Sequence, residues 1–424
     1  MRGFLALWSL LWTLGLPVVL LYLRRRARRD ALYGRHLGER FGRYRPQAPG
    51  AVWVHAVSLG EMRSAEPLVR ALLARGERIV TTHFTPAGRR EAARLFSAEI
   101  AGGRMTVCWV PFELAWCWRG FLRAFRPRLG LVMEIEIWPR MVVAARDGGV
   151  PLYMCNAQYP RDSMARDRRL PIRPAVMRRF AGAFVKSSLQ RERFRSVGVA
   201  NVAVTGELRF DQPIPPEQVA AARRLRPVLA GGRRVIALAS FTAREEALAL
   251  DVIAAALARP DPPFFVLVPR APERFDPLAG ALVRRGVAAL RRSHALGPTF
   301  EAAADLAPAD VLLGDSLGEM QFYLSLADIV VVGGGFHGGG SHNIIEPLAL
   351  GLPVLIGPDY STIEYPAVEA IAAGLCRSVT AAELGPALGP GGWPGPSRQA
   401  IAAFLAEHGG ATARTVAALE RLSG

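Results

Sequence analysis

Short runs of apolar residues alternate along the chain with segments in which apolar residues recur every three or four positions. The short runs predict strands, and the longer periodic segments predict amphipathic helices. Strands that alternate with helices form parallel sheets covered on both faces, so the pattern predicts an α/β fold. The predicted strands are 51–57, 78–82, 105–110, 129–133, 152–155, 183–185 and 202–204, then 235–239, 264–268, 311–313, 329–332 and 354–356.

A proline- and arginine-rich stretch separates the two groups of predicted strands. It contains IPPE and RPVLAGG and is typical of an interdomain connector. The sequence therefore predicts two similar doubly wound domains, 30–210 and 234–424, joined by a linker at 211–233. The C-terminal helices are assigned to the second domain.

Polar residues follow the predicted strands in both halves of the chain. Ligands of doubly wound sheets bind at the carboxyl ends of the strands, and two facing domains would bring these ends to one cleft. Glu61 has an alternative role, to complement a helix dipole, and Glu136 could be only a sheet-end partner for an arginine. The candidate residues are Glu61, Glu134, Glu136 and Arg209 in the first half, and Ser240, Arg270 and 315–319 in the second.

The stretch 330–358, VVVGGGFHGGGSHNIIEPLALGLPVLIGP, runs from an apolar strand through clustered glycines into a short helix. Such a turn presents backbone N–H groups and the positive end of a helix dipole, which favour phosphate. Asn343 and Glu346 are three positions apart and share one helix face, where a carboxylate suits ribose hydroxyls. We interpret the stretch as a nucleotide cradle; the alternative is a glycine turn that binds nothing.

Two standard nucleotide motifs do not explain this stretch. A G-x-G-x-x-G pattern is present at Gly333, Gly335 and Gly338, with Asp359 about 20 residues later. It comes late in the chain, whereas the dinucleotide fingerprint follows the first strand of a βαβαβ half. A Walker loop is excluded, because Lys186 is the only lysine and a valine precedes it.

The N-terminus carries an apolar run at 4–23, about 20 residues, which ends in five arginines between positions 24 and 29. A cleaved signal peptide carries its charge before the apolar core, but here the arginines follow it. Residues 1–29 are therefore predicted to form an uncleaved membrane anchor with a basic flank. Because arginines favour the cytoplasmic side, the body is predicted to be cytoplasmic. Full crossing and an oblique position in one leaflet both remain open.

The formal charge of +17 at pH 7 comes almost wholly from arginine. A basic surface favours phosphates, anionic lipid or nucleic acid, but no recognition motif accompanies the charge, so nucleic acid is not a predicted partner. The four cysteines form no C-x-x-C pair, which predicts reduced, structural thiols and no metal. His55 and His83 are predicted to be structural, because no metal-ligand spacing links the histidines.

Six ordered motifs resemble one family: HAVSLGE, EIEIWP, TGELRFD, VPRAPERF, GDSLGEM and GGGSHNIIEP. Over nearly its whole length the chain is similar to the Kdo transferases, which move 3-deoxy-D-manno-oct-2-ulosonic acid (Kdo) from CMP-Kdo to a lipid A precursor, lipid IVA. The resemblance implies a GT-B type fold of two facing Rossmann-like domains, an acceptor-binding one followed by a CMP-sugar-binding one. It also implies contact with inner membrane lipids at the cytoplasmic face of the bacterial inner membrane, and a role in lipopolysaccharide biosynthesis.

The resemblance also assigns roles to individual residues. Glu61 matches the general base that deprotonates the acceptor hydroxyl, and Glu134 and Arg209 match positions that stabilise the transition state. Arg270 is the expected partner of the phosphate. The CMP-binding segments match Pro269, Arg270, Leu317, Gly318, Glu319, Asn343, Ile344, Ile345 and Glu346.

The implied reaction needs anion stabilisation more than a metal. CMP leaves with a stabilised phosphate charge, and the sequence has no Asp-x-Asp pair, so we expect no metal and no cofactor beyond the co-substrate CMP-Kdo. Glu61 would deprotonate the acceptor on the face opposite the leaving group, which predicts an inverting transfer.

Several residues depart from the family pattern. Arg209 replaces the lysine of TG-x-LKFD, Gln158 an arginine of NARLS-x-RS, and Ala271 the histidine of PRHPERF, while SFTAREE replaces STHxGEE around Ser240. Arginine keeps the charge of lysine but not its geometry. The open alternatives are a diverged paralogue with another acceptor or nucleotide sugar, another GT-B glycosyltransferase or nucleotide-sugar epimerase, and an inactive paralogue that tethers the pathway. The sequence predicts neither the number of Kdo units added nor the oligomeric state.

Overall fold

The computed structural model describes residues 2–303 and 306–423, which divide into two compact units. The first unit contains the described residues up to Gln212 and those from His408 onward. The second unit is Pro213–Glu407. Each unit has its own parallel sheet and its own apolar core.

The first unit is built on a seven-stranded parallel sheet in the order β3-β2-β1-β4-β5-β6-β7. Nearly all of its strand residues are buried, because helices cover both faces of the sheet. One apolar cluster surrounds Trp53 on one face, and another surrounds Leu131. The strands are β1 (Val52–His55), β2 (Ile79–His83), β3 (Met105–Trp109), β4 (Leu129–Met133), β5 (Leu152–Ala157), β6 (Gly182–Val185) and β7 (Val202–Val204).

Helices precede, connect and follow these strands. Several begin at a hydroxyl side chain that accepts a hydrogen bond from a backbone N–H of the first turn, as Ser58 does for α3 and Thr85 for α4. The helices of the first unit up to β7 are α1 (Arg2–Ala27), α2 (Leu37–Arg40), α3 (Leu59–Ala74), α4 (Pro86–Leu95), α5 (Ser97–Ala101), α6 (Ala115–Phe125), α7 (Pro139–Asp147), α8 (Arg161–Arg169), α9 (Ile172–Met177) and α10 (Ser188–Ser196).

The second unit contains a seven-stranded parallel sheet in the order β10-β11-β9-β8-β12-β13-β14. Its strands are β8 (Val235–Phe241), β9 (Phe264–Pro269), β10 (Ala289–Arg291), β11 (Val311–Leu313), β12 (Ile329–Val332), β13 (Val354–Ile356) and β14 (Cys376–Ser378). The helices after β7 are α11 (Pro216–Ala230), α12 (Glu246–Leu257), α13 (Phe275–Arg284), α14 (Arg292–Ala295), α15 (Met320–Ser325), α16 (Ile345–Ala349), α17 (Glu364–Ala372), α18 (Ala381–Leu388), α19 (Arg398–His408) and α20 (Ala411–Ser423).

The predicted α/β fold with two doubly wound, Rossmann-like domains is confirmed, since each unit contains one parallel seven-stranded sheet. All twelve predicted strands are present, with ends that differ by at most two residues. The sequence pattern missed β10 and β14, the two edge strands of the second sheet. Each has only three residues and is incompletely buried, so it lacks the continuous apolar run that marks the other strands.

Two segments differ from the predicted domain division. The proline- and arginine-rich connector is largely α11, which packs against α15 and therefore belongs to the second unit. The last helix, α20, lies on the first unit, where Ala411, Val416 and Leu419 join the apolar cluster around Leu131. The chain therefore returns to its first unit at the C-terminus.

Candidate functional site

The carboxyl end of the first sheet brings Glu61 and Glu134 together. The strand order reverses between β1 and β4, and the crevice at such a switch point is where doubly wound sheets bind ligands. Glu61 lies in the first turn of α3, directly after β1, and Glu134 directly follows β4. The topology therefore explains why residues 73 positions apart share a site.

Glu61 is held by the turn that precedes α3. Its Oε2 accepts a hydrogen bond from the Val57 N–H at 2.7 Å, and its Oε1 accepts one from the Ser58 hydroxyl at 3.1 Å. The Glu61 N–H in turn donates to Ser58 Oγ at 3.3 Å. This reciprocal arrangement is close to a capping box, so Glu61 does complement the start of the helix as the alternative interpretation expected.

The electrostatic environment of Glu61 nevertheless differs from that of an ordinary capping residue. Burial, followed by the charge of Glu136, raises the pKa of the Glu61 carboxyl to about 8; Glu134 adds to the effect, while the bonds from Val57 and Ser58 oppose it. A carboxyl with a pKa near neutrality can exchange a proton at physiological pH. Glu61 is therefore suited to act as a general base.

Glu134 is fixed by a network of charged and polar side chains. Lys186 Nζ lies 3.0 Å from Glu134 Oε2 and 2.8 Å from Glu207 Oε2. Asn156 Nδ2 donates to Glu134 Oε1 at 3.0 Å and to Glu207 Oε1 at 2.7 Å. Of the two carboxylates, Glu207 is 1% exposed and Glu134 is 24% exposed, so only Glu134 is open to a ligand.

The charges in this network stabilise one another. Burial would lower the pKa of Lys186, but Glu134 and Glu207 outweigh it and raise that pKa. Burial would raise the pKa of Glu207, but Lys186 and Arg209 lower it. The ammonium group and the Glu207 carboxylate therefore both stay ionised inside the unit.

Arg209 connects this network to the helix that carries Glu61. Its Nε donates to the Ser64 hydroxyl on α3 at 2.6 Å, and its Nη2 lies 3.8 Å from Glu134 Oε1. Ser64 is three residues after Glu61 on the same helix, so both face one side. The structure thus places Glu61, Glu134 and Arg209, the three residues assigned a part in the chemistry, around one site.

The backbone at this site is conformationally unusual. Glu134 and Asn156 have φ of 56° and 54°, and Ser240, at the carboxyl end of the second sheet, has φ of 58°. Non-glycine residues rarely adopt this left-handed region, and such residues cluster at functional sites. Each of the three lies at or next to the carboxyl end of a strand.

The remaining polar candidates of the first unit have structural partners. Glu136 accepts a hydrogen bond from the Trp138 indole at 2.7 Å, so the expected arginine partner is replaced by a tryptophan. His55 and His83 are fully buried, and burial lowers the pKa of each to about 3. Both are therefore neutral, in agreement with a structural role.

The glycine-rich stretch of the second unit departs from the predicted cradle. The buried carboxylate of Glu245 accepts hydrogen bonds from the N–H groups of Gly334 and Phe336, at 2.7 to 2.9 Å. Asp359 accepts one from the Gly340 N–H at 3.0 Å. The interpretation that these glycine-loop amides are bare is therefore wrong, because two carboxylates of the same unit already occupy them.

These carboxylates shape the loop. Burial would raise the pKa of Glu245, but hydrogen bonds from Thr242, Phe336 and Gly334 outweigh it and lower the pKa. For Asp359 the hydroxyl of Ser361 is the largest cause of a lowered pKa. Both side chains are thus ionised acceptors that hold the loop in one shape, and the loop approaches β8 so closely that a Cβ on Gly333 would meet Ser240 O at 2.8 Å.

Groups that suit an anion remain at this edge. Arg270 is exposed directly after β9. Burial, followed by the charge of Arg270, lowers the pKa of His342 to about 4, so the imidazole is neutral. The buried atoms Ser341 Oγ and His342 Nε2 have no hydrogen-bond partner within the described part of the chain, so both are free to contact a ligand.

The predicted CMP-binding residues all lie at the carboxyl ends of β9, β11 and β12. Glu319 forms a two-point ion pair with Arg292, with both contacts at 2.7 Å, and Leu317 is 74% exposed. Gly318 has φ of 84°, which requires glycine. Ile344 and Ile345 are core side chains, so only their backbone could meet a nucleotide, and Asn343 Oδ1 accepts a hydrogen bond from the Ile345 N–H at 2.9 Å. Pro269 ends β9 as a buried residue.

Sequence reasoning missed Lys186, Asn156, Glu207 and Glu245. The sequence did offer one signal: of 53 basic Lys and Arg residues, Lys186 is the single lysine, and it lies at the carboxyl end of a predicted strand. In a chain that otherwise uses arginine, a retained ammonium indicates a site that a guanidinium would not fit. Nothing comparable marks Glu245, which follows the strand in a helix-initiating loop.

Within residues 2–303 and 306–423, no group of three or more His, Cys, Asp or Glu side chains is arranged to hold a metal ion. The four cysteines are unpaired and buried. The expectation that the chemistry needs no metal stays a prediction.

Comparisons with known proteins agree with the sequence motifs. Residues 35–212 match the family described as 3-Deoxy-D-manno-octulosonic-acid transferase (kdotransferase). A 3-deoxy-D-manno-octulosonic acid transferase of Bordetella pertussis is 39% identical, and the match covers 95% of this chain and 96% of the relative. One of Haemophilus influenzae is 28% identical over 80% of this chain and 79% of the relative.

A similar fold occurs in a solved structure with a different printed activity. The UDP-GlcNAc 2-epimerase of Neisseria meningitidis, bound to UDP-GlcNAc, matches with a TM-score of 0.55 and 14% identity, over 88% of this chain and all of that chain. At this identity the likeness concerns the fold alone.

Proposed function

The chain belongs to the 3-deoxy-D-manno-octulosonic acid (Kdo) transferase family and is a glycosyltransferase enzyme that transfers Kdo; on that premise we propose that it transfers Kdo from CMP-Kdo to a lipid A precursor, lipid IVA, with inversion and with Glu61 as the base. The observation that carries the enzyme assignment is 39% identity to a Kdo transferase across 95% of the chain. The observation that carries the mechanism is the carboxyl of Glu61, with a pKa of about 8, at the switch point of the first sheet.

In this proposal Glu61 takes the proton of the acceptor hydroxyl as the new glycosidic bond forms. A base whose pKa lies near the working pH combines sufficient ionisation with sufficient basicity. The hydrogen bonds from Val57 and Ser58 fix the direction of the carboxylate, and Glu136 and Glu134 keep its proton affinity high. Once protonated, Glu61 is relieved of the repulsion from these two neighbours, so the environment favours the product state of this proton transfer.

Glu134 and Arg209 act on charge in the proposed transition state. The anomeric carbon gains positive character as CMP departs, and a carboxylate fixed in position can stabilise it. Glu134 has a fixed position because Lys186 and Asn156 hold it from the buried side. Arg209 is 26% exposed and can offer its guanidinium to an anionic group of either substrate.

The second unit is proposed to bind the CMP part of the donor. Arg270 is an exposed cation directly after β9 and is assigned to the phosphate, and the neutral His342 imidazole can donate to or accept from a ligand. The loop amides already taken by Glu245 and Asp359 are not available for phosphate, so we assign that contact to Arg270 and to the segment from Asn343 to Glu346. No metal and no cofactor take part.

We place the enzyme at the cytoplasmic face of the bacterial inner membrane, as part of lipopolysaccharide biosynthesis. The described chain contains one helix long and apolar enough to cross a membrane, Gly3–Ala27, with a mean hydropathy of 2.1. Exposed arginines follow it, and they favour anionic headgroups.

The direct test is incubation of the purified full-length protein with CMP-Kdo and lipid IVA, with the lipid product followed by mass spectrometry and the released CMP by chromatography. We expect a lipid heavier by one or more Kdo units and CMP in matching amount. UDP-GlcNAc, alone and with lipid IVA, is the matched control for the epimerase and for another donor. Turnover of UDP-GlcNAc without Kdo transfer would reject the proposal, and transfer of Kdo to another acceptor only would reject the lipid IVA assignment.

A further inference from the structure

The N-terminal helix α1 is docked along the first unit and is not a free apolar rod. The side chains of Leu5 and Leu23 are only 7% and 5% exposed, although they lie near opposite ends of the helix. Between them Trp12, Leu16 and neighbouring apolar side chains pack on a cluster that includes Phe112 and Leu114. The contact therefore follows about 27 Å of helix, at 1.5 Å per residue.

Polar contacts fix the N-terminal half of α1. Glu113 is buried and accepts hydrogen bonds from the Trp8 indole at 3.1 Å, the Trp118 indole at 2.8 Å and the backbone N–H groups of Arg140 and Met141 at 2.8 and 3.0 Å. The Arg140 guanidinium donates to Ser9 Oγ at 2.7 Å and to the Leu5 carbonyl at 2.6 Å. A helix that crossed a bilayer alone would need none of these contacts.

The opposite side of α1 is apolar and exposed. Its large side chains recur with helical spacing and are between 54% and 70% exposed, at Leu7, Leu10, Leu11, Leu14, Val18 and Leu21. A further exposed aromatic side chain, Trp116, is 48% exposed and stacks on Phe41. Phe41 in turn packs edge-on against Phe112, which belongs to the cluster under α1. We call the six residues of α1 the outer face.

If α1 crossed the membrane, the part of the first unit that packs against it would have to enter the bilayer as well. The docked length is close to the hydrocarbon thickness of about 30 Å, so a crossing helix would draw Arg140, Glu113 and the rest of the first unit into lipid. Charged groups at that depth are costly, and the backbone of an α/β body has no place there. A helix parallel to the surface has neither difficulty, since its outer face enters the leaflet and the docked face stays on the protein.

We propose that α1 lies in the plane of the membrane, with its outer face in one leaflet and both its ends on the same side as the body. The occupant is a lipid surface with anionic headgroups, because Arg24, Arg25 and Arg26, which end the helix, are exposed beside the outer face. This inference rests on the membrane location proposed above and not on the reaction.

The arrangement has a consequence for the substrate. Glu134 and Glu136 follow β4 directly, and Arg140, which binds α1, lies only four residues after Glu136. The leaflet would therefore meet the protein beside the edge of the first sheet that carries the candidate base. An acceptor held in the membrane by acyl chains could present its sugar to Glu61 without leaving the bilayer.

The topology test compares two single-cysteine reporters in a full-length protein whose native cysteines are all buried. One reporter is a short cysteine-containing extension ahead of Arg2, and the other is Gly232→Cys, where an added Cβ meets nothing within 4 Å. A membrane-impermeant maleimide is applied to intact spheroplasts and to inverted vesicles. We expect both reporters to react from the same side; reaction of the N-terminal reporter from the side opposite to Gly232→Cys would overturn the proposal.

The second measurement is binding to vesicles of phosphatidylethanolamine and phosphatidylglycerol. Leu14→Asn changes the outer face at a position 67% exposed, and Val283→Asn is the matched control at a position 74% exposed in the second unit. We expect Leu14→Asn to weaken binding about tenfold or more and Val283→Asn to leave it unchanged. Equal binding by both variants, or a protein found as a soluble dimer that covers the outer face, would overturn the proposal. Neither readout needs Kdo transfer, so a failed reaction and a failed topology are told apart.

Discussion

The carboxyl ends of the two sheets use acidic side chains in opposite ways. In the first unit, burial and the charge of Glu136 raise the pKa of Glu61 to about 8. In the second unit, the pKa values of Glu245, Asp315 and Asp359 are all lowered, because backbone N–H groups, hydroxyls and Arg291 donate to them and outweigh the cost of burial. Acidic side chains at the carboxyl ends of the two sheets thus have pKa values shifted in opposite directions.

The difference separates a chemical role from a structural one. Glu61 has two donors and two acidic neighbours, so it can lose and regain a proton. Glu245 holds the backbone of Gly334 and Phe336 and stays ionised. What remains for a ligand in the second unit is cationic or neutral, chiefly Arg270 and His342, which suits the phosphate of a nucleotide.

Of the substitutions that test this difference between the two units, Glu61→Gln should have the largest effect. The amide keeps a carbonyl oxygen that can accept from Val57 or Ser58, so the fold should persist, but it cannot take a proton. We expect kcat/KM for Kdo transfer to fall about 10²–10⁴-fold, the usual contribution of a general base. Steady-state transfer assays measure kcat/KM, and circular dichroism checks that the variant is folded.

The matched control for that substitution is Glu136→Gln, which removes a neighbouring charge but not the base. We expect it to change kcat/KM less than tenfold. If the two variants lose the same activity, or if Glu61→Gln retains most of it, Glu61 is not the base.

Lys186→Met should have the next largest effect, on the stability of the first unit. It leaves Glu207 buried and Glu134 partly buried without their ammonium partner, which typically costs about 3–5 kcal/mol of unfolding free energy. Urea denaturation measures the loss. The double variant Lys186→Met with Glu207→Gln should recover part of it, since the stranded charge is then removed.

An exposed ion pair gives the control for Lys186. Arg285 Nη1 and Asp251 Oδ1 lie 2.6 Å apart, but their side chains are 37% and 67% exposed. Arg285→Met should therefore cost less than about 1 kcal/mol. A loss at Lys186 no larger than this would mean that the buried network does not hold Glu134.

Glu245→Gln should have a smaller effect, on the glycine-rich loop of the second unit. The amide can replace only some of the bonds to Gly334, Phe336 and Thr242, so we expect about 1–3 kcal/mol of lost stability and weaker CMP binding. Calorimetry gives both quantities. The exposed Glu273→Gln is the control, and an unchanged CMP affinity in Glu245→Gln would show that the loop shape does not matter for the donor.

The pH dependence of stability gives a further test of the Glu61 environment. Because the folded pKa of Glu61 is raised from its ordinary 4.5 to about 8, the folded protein keeps a proton that the unfolded chain releases between these values. The stability that Glu61 contributes is therefore complete below about 4.5 and is lost as pH rises to about 8. The melting temperature of Glu61→Gln, relative to that of the wild-type protein, should therefore rise from pH 5 to pH 8. A difference in melting temperature that stays constant over this range would contradict the raised pKa.

The sequence was a sound guide to the fold for a clear physical reason. Strands such as β4, buried on both faces, must be continuously apolar, so LGLVM could be recognised with its observed ends. The edge strands β10 and β14 lack that requirement and carry no such pattern. The docking of α20 on the first unit is a long-range contact that no local pattern encodes.

The candidate site was predictable where a motif carried it. Glu61, Glu134 and Arg209 were chosen because their motifs resemble a family, and the switch point between β1 and β4 explains why Glu61 and Glu134 lie together. The expectation that the glycine-loop amides are free for phosphate was wrong, because glycine spacing shows where a loop can bend but not that the Glu245 carboxylate, about 90 residues earlier, accepts hydrogen bonds from those amides. Contacts between residues that are distant in sequence and close in space, such as this one, could not be predicted from the sequence.

The most direct test of the account is the pH dependence of kcat/KM for Kdo transfer to the lipid acceptor under saturating CMP-Kdo. If Glu61 is the base with a pKa of about 8, log kcat/KM should rise with unit slope below pH 8 and level off above it. The residual activity of Glu61→Gln should lack that rise. A rate already level from pH 6 upward, or an unchanged rise in the Gln variant, would contradict the claim that this carboxyl takes the proton.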